Sequence, residues 1–187
     1  YGNPLVLLML GGFILAAALE RSGAHRRIAL YMVRAFGGTS PRRLVFGFMC
    51  ASAFLSMWIS NTSTTLMLLP VALAALEKTD DMNLSGPLLL GIAYAASIGG
   101  IGTPIGTPPN MVFMGVYTEV TGGAVSFGQW MLWAIPVVLI LLPIAGLWIT
   151  RGVSKSGGVV LPEAEAWSTA ERRVLVIFSI TALLWMT

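Results

Sequence analysis

The sequence predicts an all-α polytopic membrane protein with one re-entrant helical hairpin and one discontinuous transmembrane helix. Three observations carry this. The 187 residues are 56% hydrophobic, only 10% charged and have a mean hydropathy of +0.83, whereas soluble domains are about 25% charged. The uncharged stretch 44–76 is interrupted by Ser56-Met57-Trp58-Ile59-Ser60-Asn61-Thr62-Ser63-Thr64-Thr65. A second stretch, 84–116, is interrupted by Gly99-Gly100-Ile101-Gly102-Thr103-Pro104-Ile105-Gly106-Thr107-Pro108-Pro109-Asn110. Polar or broken backbone at membrane depth is costly unless protein, water or a ligand satisfies it.

Apolar stretches fall at about 4–19, 44–59, 64–76, 84–116, 129–149 and 174–187. A spanning helix needs roughly 20 residues. Segment 129–149 has that length, with Pro136 and Pro143 expected to kink it. The arms 44–59 and 64–76 are each too short to cross comfortably. Residues 24–36 place Arg26, Arg27 and Arg34 among Ile28, Leu30, Val33 and Phe36, the pattern of an amphipathic helix on the membrane surface. Ser168-Thr169-Ala170-Glu171 fits a capping box opening the last helix.

Charge decides how the short pair runs. The eleven basic residues lie in 20–43, 77–83 and 150–173, and between Met82 and Thr150 the only charge is Glu119. If 44–76 enters and returns to one side, all eleven share a single face. If it crosses once, the basic residues of 150–173 fall opposite those of 20–43, against the positive-inside bias. The hairpin reading follows, with the shared face cytoplasmic. The same parity requires 84–116 to cross once, as two half-helices joined by an unwound Gly/Pro loop. The expected divisions are 1–40, a transmembrane helix plus interfacial helix; 41–128, holding the hairpin (41–77) and the broken helix (84–118); and 129–187, a transmembrane helix, linker and the start of another.

The breaks offer complementary chemistry. The hairpin's first arm ends near Ser56 to Ser60 with unpaired carbonyls and a negative pole. Ser56 and Ser60, four apart, are expected one above the other on a helix face. Their oxygens with the Asn61 amide oxygen make a hard-oxygen cage suited to an alkali cation. The second arm starts just after, and its first N–H groups favour an anion. Thr107 is an expected N-cap with Pro108 at the first helical position, which repeats the design. Neither break contains Lys or Arg.

Other classes fit poorly. Basic residues are not interleaved with aromatics as a nucleic-acid surface would require. A serine hydrolase using Ser60 or Ser63 would need a base in reach, but the only His is His25, expected to be solvated in the basic arm. Gly100-Ile101-Gly102 opens no dinucleotide fingerprint, and no Lys follows the glycines as in a P-loop. Cys50, the single cysteine, reads as a small packing residue. Both termini read as cut, so the chain is expected to be a fragment.

At these residues the chain resembles the divalent anion–sodium symporter (DASS, INDY-like) family of dicarboxylate carriers. The resemblance rests on Ser60-Asn61-Thr62 and on Gly106-Thr107-Pro108-Pro109-Asn110 about 45 residues later. Flanking text agrees: Asn3-Pro4, Leu10-Gly11-Gly12-Phe13, Arg26-Arg27-Ile28-Ala29 and Glu171-Arg172-Arg173-Val174. It implies the N-terminal half of an inverted-repeat, elevator-type transporter that works as a homodimer in a bacterial inner membrane. It implies Na⁺ as the co-transported ion, held at Ser56, Ser60, Asn61 and Gly106. Carboxylate contacts are implied at Ser60, Asn61, Thr62 and Thr107. The substrates implied are C4 dicarboxylates such as succinate, malate and fumarate. A Na⁺-independent dicarboxylate exchanger and a sulfate or tricarboxylate carrier of the same fold are the transport alternatives, and a passive channel a remoter one. The family's second Ser-Asn-Thr copy does not occur here, so half the site is expected on this chain.

Overall fold

The computed structural model describes residues 4–37, 40–77, 83–154 and 167–186, and among them it forms eight α-helices and no strand. Asn3, Lys78 and Lys155, on which the resemblance and charge readings also drew, lie outside the described residues. In order the helices are α1 (Pro4–Ser22), α2 (Ala24–Gly37), α3 (Pro41–Ser56), α4 (Asn61–Leu76), α5 (Ser85–Gly100), α6 (Pro108–Thr121), α7 (Phe127–Ile149) and α8 (Thr169–Met186).

Two of them, α1 with 19 residues and α7 with 23, are long and apolar enough to cross a membrane. α3 and α4 have 16 residues each. At 1.5 Å per residue each is about 24 Å long, short of the roughly 30 Å hydrocarbon core. Large apolar side chains point outward along α7 and α8, among them Leu132, Leu139, Trp148, Leu183 and Leu184. An apolar exterior of that extent belongs against lipid or other protein rather than water.

The core is centred on α3. Leu44, Val45, Phe48, Met49 and Leu55 are fully buried against Leu88 and Ile92 of α5, Leu68 and Ala72 of α4, and Val33 of α2. Small residues set how closely α3 and α5 approach. A Cβ at Gly99 would overlap the Ala53 backbone, so only glycine fits there. Gly47 likewise lies against the backbone of Gly37, which lets α2 lie on α3. Serine hydroxyls bond along the α3–α5 seam. Ser52 Oγ donates to the Ile92 carbonyl at 2.8 Å, and one turn on Ser56 Oγ donates to that of Ala96 at 2.7 Å. These bonds lead from the core to the site.

Between α1 and α2 the chain turns at Gly23, with φ +78°, a backbone region that disfavours other residues. The capping box at α8 forms reciprocally: Ser168 N–H donates to Glu171 Oε2 at 2.6 Å, and Glu171 N–H to Ser168 Oγ at 3.2 Å. The other Glu171 oxygen accepts from Arg27 Nε, and Tyr31 stacks on Trp167, so α2 also contacts the start of α8. Arg27, and then the Ser168 N–H, hold the Glu171 carboxyl below the usual carboxylate range. His25 differs from expectation. It is half-buried, with Nδ1 2.9 Å from the Leu19 carbonyl, because the tight Gly23 turn folds it back over the end of α1.

Candidate functional site

Four helix ends meet where the two breaks face each other. α3 ends at Ser56 and α5 at Gly100, while α4 starts at Asn61 and α6 at Pro108. The two C-termini bring negative poles and carbonyl oxygens; the two N-termini bring positive poles, with free N–H groups at the start of α4 but not of α6, whose first two residues are Pro108 and Pro109. Ionisable side chains are not needed for the locus to hold both signs of charge.

Ser56, Asn61 and Gly106 come together. Ser56 is fully buried, and its Oγ lies 2.5 Å from Asn61 Oδ1 as well as 2.7 Å from the Ala96 carbonyl. A single hydroxyl proton cannot serve two acceptors fully, so the cluster is rich in oxygen and short of hydrogen. A Cβ at Gly106 would press on the carbonyls of Gly100 and Ser56, and one at Gly100 would sit 2.6 Å from Asn61 Oδ1. Glycine at both positions therefore lets the Ser56 hydroxyl, the Asn61 amide oxygen and the carbonyls of Ser56, Ala96 and Gly100 crowd into one knot. Neutral oxygens are the ligand type that a hard cation takes.

Ser60, Thr62 and Thr107 stand apart from that knot. Ser60 is exposed and caps α4, its Oγ accepting from the Ser63 N–H at 3.1 Å. Ser60 does not stack on Ser56 as a helical spacing would have it. α3 stops at Ser56, and residues 57–60 form a turn, so the two serines belong to different elements. Thr62 is exposed on the first turn of α4. Thr107 is the N-cap residue of α6, in extended backbone, with Pro108 behind it. Its hydroxyl makes no capping hydrogen bond and so is not spent on the helix. It borders a small cavity shared with Met9 and Phe13 of α1. The hydroxyls of Ser60, Thr62 and Thr107 are thus set at two helix N-termini, where an oxyanion is favoured.

Some residues of the site were not singled out by the sequence. Thr103 Oγ1 donates to the Met57 carbonyl and so ties the 101–107 link to the 57–60 turn. Asn110 Nδ2 donates to the carbonyls of Gly100 and Thr103, each at 2.8 Å. Trp130 Nε1 on α7 donates to the Ile101 carbonyl at 2.8 Å. Trp58, in the turn, packs edge-on against Phe178 of α8 at 5.0 Å between centroids. The advance signals were Asn110 closing the Gly106-Thr107-Pro108-Pro109-Asn110 motif and Gly-Thr-Pro occurring twice, at 102–104 and 106–108.

The model of the citrate transporter family (CitMHS) matches residues 1–187. This chain belongs to that family. The family is one of carriers rather than enzymes, which sets the serine-hydrolase alternative aside and makes the chain part of an integral membrane protein. The chain is 35% identical, over its full length, to the sodium-dependent dicarboxylate transporter SdcS of Staphylococcus saprophyticus. It is 36% identical to the SdcS of Staphylococcus aureus. It spans about 40% of the length of these relatives. The resemblance read from Ser60-Asn61-Thr62 and Gly106-Thr107-Pro108-Pro109-Asn110 agrees with this membership.

Proposed function

We propose that the chain forms half of the binding site of a Na⁺-coupled symporter for C4 dicarboxylates such as succinate, malate or fumarate. The observation that carries this reading is the buried oxygen knot of Ser56, Asn61 and the Gly100 and Gly106 backbone, between two helix C-termini and beside two helix N-termini. In this reading Ser56, Asn61 and Gly106 of the knot hold Na⁺, joined by Ser60 when its hydroxyl turns from the Ser63 N–H toward them. Ser60, Asn61, Thr62 and Thr107 hold a carboxylate through hydroxyl, amide and N–H donors. The bound cation, rather than Lys or Arg, offsets the anion's charge, which makes binding of the two ligands mutually dependent. The names of the SdcS relatives support sodium and dicarboxylate as the ligands.

The short α3 and α4 are read as a re-entrant hairpin entered from the cytoplasm, and α5 and α6 as halves of one broken span. The divisions 41–128 and its flanks, 1–40 and 129–187, are the mobile and static parts of an elevator. A homodimer in a bacterial inner membrane, with the second half of the site in the remainder of the protein, completes the proposal. The description of the family as citrate transporters favours a tricarboxylate as the second reading of the substrate.

Uptake of radiolabelled succinate by proteoliposomes of the full-length protein is the test. Uptake is expected to require Na⁺ and to be lost in Asn61→Ala. Succinate uptake that proceeds equally in K⁺ alone would sink the coupling, and preferential uptake of citrate would replace the substrate.

A further inference from the structure

We infer that Asn110 is the positioning residue of this site, setting the 101–107 link so that Gly106 faces the oxygen knot and Thr107 faces the anion. The inference rests on the cation-and-dicarboxylate reading above and extends it to a residue that touches neither ligand.

Asn110 is 7% exposed and sits in the first turn of α6, one turn past Thr107. Both of its near neighbours are carbonyl oxygens, those of Gly100 and Thr103, so only the NH₂ end of its amide fits between them. With one hydrogen on each, the side chain spans the unwound link. It joins the first turn of α6 to the last residue of α5 and to the middle of the link. The Thr103 carbonyl also accepts from the Gly106 N–H at 3.3 Å, so the same oxygen anchors Asn110 and Gly106. The Gly100 carbonyl is the nearest atom to the space a Cβ on Gly106 would fill, and Gly100 itself abuts Asn61. Asn110 therefore fixes the carbonyl wedged between Gly106 and the knot.

An unwound segment has no helical ladder to hold it, so a side chain with two donors is the economical substitute. Removing the donors takes the Asn110 bond from the Gly100 carbonyl and leaves the Thr103 carbonyl with only the long Gly106 N–H contact, and the link relaxes toward whatever partners it can find. The peptide planes of Gly106 and Thr107 move with it.

The test titrates Na⁺ alone, and then succinate, against the thermal stability of the purified full-length protein. Asn110→Leu keeps the volume and removes both donors; it is expected to raise the half-saturating Na⁺ concentration about tenfold or more. Asn110→His, whose ring can place one N–H near the Nδ2 position, is expected to recover part of that loss. A lower melting temperature with half-saturation within about twofold of wild type in both variants overturns the inference, leaving Asn110 a packing residue. Should Asn110→Leu not fold, Asn110→Ser is judged by the same criterion. A wild type unresponsive to Na⁺ would overturn the coupling reading instead. The succinate half-saturation, which reports Thr107, would then decide for or against Asn110.

Discussion

The two breaks are built differently although both interrupt an apolar stretch. The 57–60 turn is local: Trp58 and Ile59 N–H groups return to the Leu55 carbonyl, and Ser60 caps the next helix with its own hydroxyl. The 101–107 link has a few turn bonds of its own but is also held from outside. Asn110 reaches back from α6, Trp130 reaches in from α7, and Ile105 packs against Gly12 of α1. Its own cap residue, Thr107, makes no capping bond. The turn's own bonds set the start of α4, and Thr103 on the Met57 carbonyl and Phe178 on Trp58 add support from outside. A link supported by three other helices changes shape when any of them moves, so coupling between ligand and conformation is expected to enter through 101–107.

The largest expected effect that would break this comparison is at Gly106. Alanine there would place a Cβ against the Gly100 and Ser56 carbonyls, neither of which is a flexible side-chain end. Forcing a methyl group into packed surroundings typically costs about 1–3 kcal/mol. Gly106→Ala should abolish Na⁺-dependent stabilisation and uptake. Retained Na⁺ response would mean that the knot is looser than its contacts imply.

Thr103→Val comes next. It keeps the shape of the side chain but removes the hydrogen bond to the Met57 carbonyl that ties link to turn. Leaving a buried carbonyl unpaired costs about 1–3 kcal/mol. We expect a lower melting temperature and a weaker dependence of succinate affinity on Na⁺, measured by titrating each at fixed levels of the other. If the two ligands remain fully interdependent, the breaks communicate by another route.

The smallest effect lies outside both breaks, at Glu171. Its carboxyl is held below the usual range by Arg27 and the Ser168 N–H. The stability it contributes is therefore present above the ordinary carboxylate pKa of about 4.3 and is lost as pH falls through the lower folded value. Melting temperature should be flat from neutral pH to about 5 and fall below that, with a shallower fall in Glu171→Gln. An equal fall in both would assign the acid sensitivity elsewhere.

Much of the all-helical fold could be read from the chain because membrane helices announce themselves by length and by the rarity of charge. Pro41, Pro108 and Ser126 stand where helices begin, and Gly23 and Gly122 where they end, as capping chemistry requires. Asn61 was legible as a site residue because an amide in an uncharged apolar stretch needs a partner. Its partner Ser56 was legible too, but for a mistaken reason: the helical spacing to Ser60 is void, since the helix ends between them.

The sequence by itself determined that this chain lies in a membrane and is interrupted twice by groups that lipid cannot satisfy. Hydrophobicity and helix-breaking are properties of residues and survive without knowledge of neighbours. Only the tertiary structure decided what the interruptions do for each other. Gly-Thr-Pro occurs twice, yet Thr103 ties the link to the turn while Thr107 stands at the head of α6. The two threonines are chemically alike. Their roles diverge because one carbonyl, that of Met57, comes within reach of only the first, and that proximity is made by the close approach of α3 and α5 at Gly99.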